Sequence, residues 1–290
     1  MRTLARASKA ALLLASNPGL FSKMAVAKLA SFRRMPPLPA KKKINGIWFE
    51  YDSVHTTAPM YFGSYSLALI DVMKRCLKPG DTFLDIGANI GYLSAIAAGL
   101  VGKTGQVHSF EPVPAYFRQL QKLAALNPEY TIVANPFAAG SEEGTAKAYV
   151  SAEPGENTLV PGYTEKDSVK ECIDVRVIRL DEYIESKALK NISLIKIDTE
   201  GFEYPVLLGL QGFFEKTENL PIIICEVDPR AHRLLGHKPD DLASYISGFG
   251  YGARNVVRRS KTVELSTMSH IDDVVFSPPA SRITEPAHLV

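Results

Sequence analysis

The sequence predicts an α/β protein built on a largely parallel sheet, and three observations carry this. From Asp81 onward, short β-branched or apolar runs alternate with helical stretches. The run Asp85-Ile86-Gly87-Ala88-Asn89-Ile90-Gly91 joins the first of these strands to the first helix. Four candidate strands end on acids, Asp85, Glu111, Asp198 and Glu226. In open sheets of this kind ligands sit beyond the carboxyl ends of the strands.

The elements follow in order. Ile47–Tyr51 reads as a strand and Ser64–Cys76 as a helix. The sheet strands are Thr82–Ile86, Gln106–Phe110, Tyr130–Ala134, Leu194–Ile197 and Ile222–Glu226. Helices fit between them at Tyr92–Leu100, Pro114–Ala125 and Glu203–Phe214. Between Gly144 and Asp181, Val/Ile alternation with Gly, Pro and Asn-Thr predicts inserted hairpins and a loop. A helix Pro239–Phe249 and strands Ala253–Val257 and Asp273–Phe276 close the domain.

Composition narrows the class. The 290 residues are 46% apolar and 22% charged, with 20 Gly and 19 Pro, which excludes collagen-like, coiled-coil and wholly disordered chains. No run approaches the 18 apolar residues of a membrane span. Three cysteines without metal spacing argue against a disulfide framework or structural zinc and favour a reducing compartment. The expected location is cytoplasmic, with peripheral attachment to a membrane as an alternative and organellar targeting left open.

The net charge of +2 hides an asymmetry. Residues 1–49 carry ten basic side chains and no acid, so residues 50–290 hold 23 basic and 31 acidic residues, a net of −8. The chain divides into a basic arm with a proline-rich linker (1–43), one α/β domain (44–280) and a tail (281–290). Residues 4–15 and the stretch from Asn17-Pro18 to about Arg34 read as arm helices, ended by Pro36-Pro37-Leu38-Pro39. A transit peptide, an arm held to an anionic membrane surface and a solvated extension all fit.

Gly87 permits a tight turn and close backbone approach, and Gly91 lets the helix pack on the strand. The glycines are four apart, not the G-x-G-x-x-G of a dinucleotide site. Asp85 in the mouth of the turn would repel a pyrophosphate and welcome an ammonium or sulfonium. Free N–H groups at the helix start suit a carboxylate. A ligand with all three groups is S-adenosylmethionine. Glu111, 20 residues beyond Gly91, is placed to accept hydrogen bonds from a ribose diol, with Pro112 ending the strand and turning Glu111 inward. Asn135-Pro136-Phe137 is similar to the N-P-P-F/Y motif of amino-methylating enzymes, but it follows the third strand and lacks the second proline.

Lys78-Pro79-Gly80-Asp81, the Asp85–Tyr92 run, Phe110-Glu111-Pro112 and Leu194-Ile195-Lys196-Ile197-Asp198-Thr199-Glu200-Gly201-Phe202-Glu203 together resemble the FkbM-type methyltransferases. The resemblance spans roughly Tyr61 to Glu226. It implies a class I methyltransferase fold, Rossmann-like, with a seven-stranded, mostly parallel sheet, one antiparallel strand and helices on both faces. It also implies S-adenosylmethionine-dependent O-methylation of hydroxyls of sugars or polyketides. Asp85, Gly87, Asn89, Gly91, Glu111 and Pro112 are accordingly expected to hold the cofactor. Where many relatives carry a glutamate after Gly63, this chain reads Ser64-Tyr65-Ser66.

An aliphatic hydroxyl needs its proton withdrawn before it attacks a methyl group, by a base or by a metal. Asp198, Glu200 and Glu226 are the candidate catalytic acids. Asp198 is the expected base and Glu226 the anchor for a substrate hydroxyl. Glu203 is read as a helix-start acid and Lys196 as the partner of a buried acid. A divalent metal between Asp198 and Glu226 is the alternative, not preferred because the sequence offers no dense acidic cluster. His108 is read as an interior histidine, and His232 and His237 as members of a solvated helix. The expected acceptor is a small molecule or glycan. Nucleic acid is disfavoured because the body is acidic and shows no aromatic-basic interleaving. A non-catalytic binding module is disfavoured by the intact glycine turn, Glu111 and Asp198.

Overall fold

The computed structural model describes residues 40–51, 59–152, 155–257 and 262–278. The expected arm helices, the linker prolines and the tail 281–290 lie outside these residues. Among the described residues no helix is long and apolar enough to cross a membrane.

The first element is a hairpin of β1 (Lys41–Ile44) and β2 (Ile47–Glu50). Its turn is Asn45-Gly46, both residues in the left-handed region at φ 47° and 87°, as a two-residue turn matching strand twist requires. Ile47 and Phe49 are buried, and Asn127 accepts from the Trp48 amide at 2.8 Å. The domain boundary expected between residues 43 and 44 therefore falls inside a strand, and the described fold already includes Lys41.

Next come α1 (Leu67–Cys76), β3 (Thr82–Ile86), α2 (Tyr92–Val101), β4 (Gln106–Phe110), α3 (Pro114–Leu126) and β5 (Thr131–Asn135). The inserted segment forms a separate three-stranded sheet of β6 (Ala138–Ala139), β8 (Val169–Ile178) and β7 (Gly144–Ser151), in that order. After it run α4 (Leu180–Ser186), β9 (Ile192–Ile197), α5 (Glu203–Leu208), α6 (Gln211–Lys216) and β10 (Ile222–Val227). The domain closes with α7 (Pro229–Leu234), α8 (Pro239–Gly248), β11 (Gly252–Asn255) and β12 (Asp272–Ser277).

The main sheet has seven strands in the order β11-β12-β10-β9-β3-β4-β5. Only β12 runs against its neighbours; the remaining pairs are parallel. Leu84, Ile86, Ile195, Ile197 and Ile223 enter one core, and Phe83, Leu194 and Ile224 enter another. Burial on both faces explains the near-continuous apolar strand sequences. The expected helix Glu203–Phe214 is broken into α5 and α6. A Cβ on Gly209 would lie 2.1 Å from the Gly140 carbonyl oxygen, so the backbones touch at the break.

The chain leaves β3 towards β4 and β5, then returns to pair β9 on the other side of β3. This reversal puts the loops after β3 and β9 side by side, the usual place for a ligand crevice.

Candidate active site

An open cavity lies at this switch point, with about 960 Å³ of space between its walls and the solvent mouth included. Gly87, Asn89 and Glu111 line it from one side, and Lys196, Asp198 and Glu200 from the other. Phe137, Ala138 and Leu159 add apolar wall.

The two loops are in contact. A Cβ on Gly87 would meet the Asp198 carbonyl oxygen at 1.9 Å, and Gly87 sits at φ 76°. Only glycine fits here on both counts. The Asp198 amide donates to the Ile86 carbonyl at 3.1 Å. Gly91, at φ 83°, caps α2, and a Cβ there would press on Leu120 and Leu123 at 2.6 and 3.0 Å. Gly91 therefore serves helix packing and does not line the cavity.

The amides of the turn itself are engaged. Gly87 and Ala88 donate to the Phe110 carbonyl, and Gly91 donates to Ala88. Asn89 donates to Glu111 Oε2 at 3.0 Å, and Ile90 to Asn89 Oδ1 at 2.7 Å. The helix-start amides expected to meet an anion come next in the chain, and Tyr92 and Leu93, which carry two of them, line the cavity. The Asn89 side-chain amide has no partner for its Nδ2 among the described residues, and Asn89 lines the cavity.

Glu111 is buried at the cavity wall, where Oε1 also accepts the Val113 amide at 2.9 Å. Burial pushes its carboxyl up to about 7, against the pull of these two amides. Each oxygen keeps capacity for a further donor such as a ribose hydroxyl. Pro112 lines the cavity beside it.

Asp85 corrects a second expectation. It is fully buried and absent from the cavity wall, because Ser94 donates to its Oδ2 at 2.5 Å and Lys196 stands 3.4 Å from its Oδ1. Ser109 donates to Ser94 in turn. The charge that reaches the cavity is that of Lys196, 3% exposed, which bridges to Asp198 at 3.3 Å and donates to the Gly87 carbonyl at 2.8 Å. Asp85 therefore acts through Lys196 and touches no cavity ligand itself.

The loop after β9 is held from three sides. Glu203 lies beneath it and accepts the Thr199 and Gly201 amides at 2.9 Å each, the structural role read for it from sequence. Thr158, from the inserted segment, donates its hydroxyl to the Glu200 carbonyl at 2.7 Å. Gly201, at φ 107°, lets Ala231 and the Tyr163 ring pack closely. Glu200 itself stands at φ 52°. Thr158 and Tyr163 were not singled out in the sequence, where only Asn-Thr in the inserted segment marks the place.

Asp198, Glu200 and Glu226 come together, with one carboxylate oxygen of each within 4.8 Å of the others. Asp198 and Glu200 line the cavity. Asp228 instead caps α7 through the Arg230 amide and accepts the Tyr163 hydroxyl. Tyr65, in the segment that departs from the family pattern, lines the cavity; the residue is 37% exposed, but its hydroxyl end is enclosed, and that enclosure with the nearby Asp198 charge pushes the hydroxyl up to about 12.

His108 is interior, as read. His232 is not solvated as expected: it is 2% exposed and stacks on Tyr204 with ring centroids 5.8 Å apart. Neither His232 nor His237 lines the cavity. Asn135 is structural, accepting the Tyr183 hydroxyl and donating to the Ser109 carbonyl.

Over 164 residues the chain is 27% identical to the hexuronic acid methyltransferase AglP of Haloferax volcanii, covering 55% of this chain and 64% of that protein. Over 169 residues it is 28% identical to the 31-O-demethyl-FK506 methyltransferase FkbM of Streptomyces tacrolimicus, covering 47% of this chain and 61% of that one. The matches thus span under two thirds of these relatives. A crystal structure of methyltransferase FkbM from Methylobacillus flagellatus aligns over 79% of this chain and 56% of that chain, at 16% identity and a TM-score of 0.43. The family model of the methyltransferase FkbM domain matches residues 85–252, more than half of the chain. The chain belongs to the FkbM methyltransferase family.

Proposed function

We propose that this chain transfers the methyl group of S-adenosylmethionine to a hydroxyl oxygen of a sugar, glycan or other small natural product. One observation carries the reading: a single cavity joins a buried acid suited to a ribose, Glu111, to a carboxylate suited to the acceptor, Asp198. The relatives named for a hexuronic acid and for 31-O-demethyl-FK506 support the acceptor class.

The donor set fits the cofactor. Glu111 keeps acceptor capacity at the cavity wall, Asn89 Nδ2 is open to a carboxylate, and the apolar Phe137, Ala138 and Val113 suit a purine face. When bound, the sulfonium supplies an activated methyl carbon and a neutral thioether leaving group. The chain's own part is alignment, exclusion of water and handling of one proton. Asp198 lines the cavity, and Lys196 at 3.3 Å fixes its orientation. An acid there can take the hydroxyl proton as the new C–O bond forms.

The test is calorimetry with S-adenosylmethionine and its demethylated product, followed by a screen of acceptors with methyl-labelled cofactor. Binding of either ligand with label appearing in a uronic acid or polyol supports the reading. Absence of cofactor binding by the folded chain overturns it.

A further inference from the structure

We propose that Asp198, Glu200 and Glu226 hold one hard divalent cation, magnesium or manganese, at the inner wall of the cavity. The three carboxylates reach it from two neighbouring elements, Asp198 and Glu200 from the loop after β9 and Glu226 from within β10 near its end. Their nearest oxygens lie within 4.8 Å of one another, a span that one ion with oxygen ligands at about 2.0–2.2 Å can close with small side-chain movements.

Convergence of acids alone would not justify a site. The second observation is Glu226. Its Oε2 is closed off from solvent and receives no hydrogen bond. No basic side chain among the described residues pairs with it, since Lys196 is taken up by Asp85, Asp198 and the Gly87 carbonyl. Neighbouring acids have visible structural duties: Glu111 holds Asn89 and Val113, Glu203 holds Thr199 and Gly201, and Asp228 caps α7. Among the described residues none donates to Glu226 Oε2. An unsatisfied carboxylate beside two like charges is costly, and a cation removes both costs together.

Oxygen-only ligands select magnesium, manganese or calcium over zinc or copper. Three protein oxygens leave coordination positions open on the cavity side. If the proposed methyl transfer is right, an acceptor hydroxyl drawn to that position would have a lowered pKa, which would assist the transfer of its proton to a neighbouring carboxylate. The cation site itself does not depend on that role.

The experiment titrates the full, chelator-stripped chain with manganese chloride and reads free manganese by electron paramagnetic resonance. The expected result is one bound ion per chain, competed by magnesium, with affinity weakened at least tenfold in Glu226→Gln and in Glu200→Gln. Circular dichroism checks folding, and Glu200→Gln sits on a solvent-accessible loop, so one informative variant remains if Glu226→Gln fails to fold. Saturation by millimolar manganese that is unchanged in these variants, or no binding at all, overturns the proposal. Cofactor calorimetry on the same stripped chain separates the outcomes: manganese bound without cofactor affinity sinks the methyl-transfer reading and leaves the cation site standing.

Discussion

The Lys196 ammonium donates to the Gly87 carbonyl at 2.8 Å and so ties the loop after β3 to the strand that leads into Asp198. Its charge is met by Asp85 at 3.4 Å and Asp198 at 3.3 Å. One buried cation thereby fixes both sides of the cavity. Removing it strands Asp85, fully buried, without a counter-charge. Lys196→Met should cost about 3–5 kcal/mol of stability, the usual loss when one partner of a buried pair is deleted. Adding Asp85→Asn to Lys196→Met should recover part of that loss. Urea denaturation of the four proteins of the cycle measures it, and a loss below about 1 kcal/mol in Lys196→Met would refute the pairing.

Gly87→Ala places a methyl 1.9 Å from the Asp198 carbonyl oxygen and at φ 76°. The backbone cannot yield cheaply, so the loop carrying Asp198 must shift. We expect a loss of about 2–3 kcal/mol from strain and overpacking combined, with turnover falling further than stability alone explains. Gly155→Ala is the control, since it has a positive φ but only the Asn89 side chain nearby, at 3.7 Å. Equal turnover losses in the two variants would show that contact with Asp198 is irrelevant.

Much of this arrangement is legible in the sequence, and the rest is hidden for identifiable reasons. The sheet strands announce themselves because burial on both faces demands unbroken apolar runs. The glycine turn and Glu111 are local signals at fixed offsets from a strand. The meeting of Glu200 with Glu226 is not local: α5 and α6 intervene, and only the parallel pairing of β9 with β10 closes the distance. Asp85 is misread because a residue at a strand end can face the cavity or the layer below, and Lys196 decides which. Helix α4 is short, and its buried Leu180, Tyr183 and Ile184 follow a Val/Ile strand run without a break. The β1–β2 hairpin had a signal, Asn45-Gly46, overshadowed by the basic composition around it.

That hairpin sets where truncation stops being harmless. Residues 1–39 precede the described fold, whereas Lys42 donates to the Tyr61 carbonyl and Tyr51 donates to Ala40. A chain beginning at Ala40 should keep its melting temperature and cofactor affinity. A chain beginning at Ile44 loses β1 and should melt several degrees lower. Equal melting of the two chains in a calorimetric scan would show that β1 adds nothing.

Glu111→Ala removes a ligand contact and a structural one together. The Asn89 and Val113 amides lose their acceptor, at about 1–3 kcal/mol each if they stay dry. Both stability and cofactor affinity should therefore fall, affinity by roughly tenfold or more. Glu111→Gln retains one amide acceptor and should lose less of each. Calorimetry paired with thermal melting distinguishes the effects; full cofactor affinity in a folded Glu111→Ala protein would remove Glu111 from the site.

His108 gives the pH prediction. It is 3% exposed in β4, with Nδ1 2.7 Å from the Tyr183 hydroxyl and Nε2 3.1 Å from Gln106 Oε1. Burial first, and the Lys187 charge second, lower it from 6.5 to about 4. Between these values the unfolded chain binds a proton that the folded chain refuses. Stability contributed by the neutral ring is thus complete above about 6.5 and drains as pH falls towards 4, by up to about 1.4 kcal/mol per pH unit. Glu111 and Glu203, both raised to about 7 by burial, have the opposite sign and lose stability as pH rises through 4.5 to 7. The whole-protein profile mixes these slopes, so the decisive quantity is the difference between the parent and His108→Gln. Urea midpoints at pH 7.5 and 5 should show the parent losing about 1–2 kcal/mol more than the variant on acidification. Parallel losses in the two proteins would mean that His108 takes up its proton in the folded state, and that the ring is not held neutral by its surroundings.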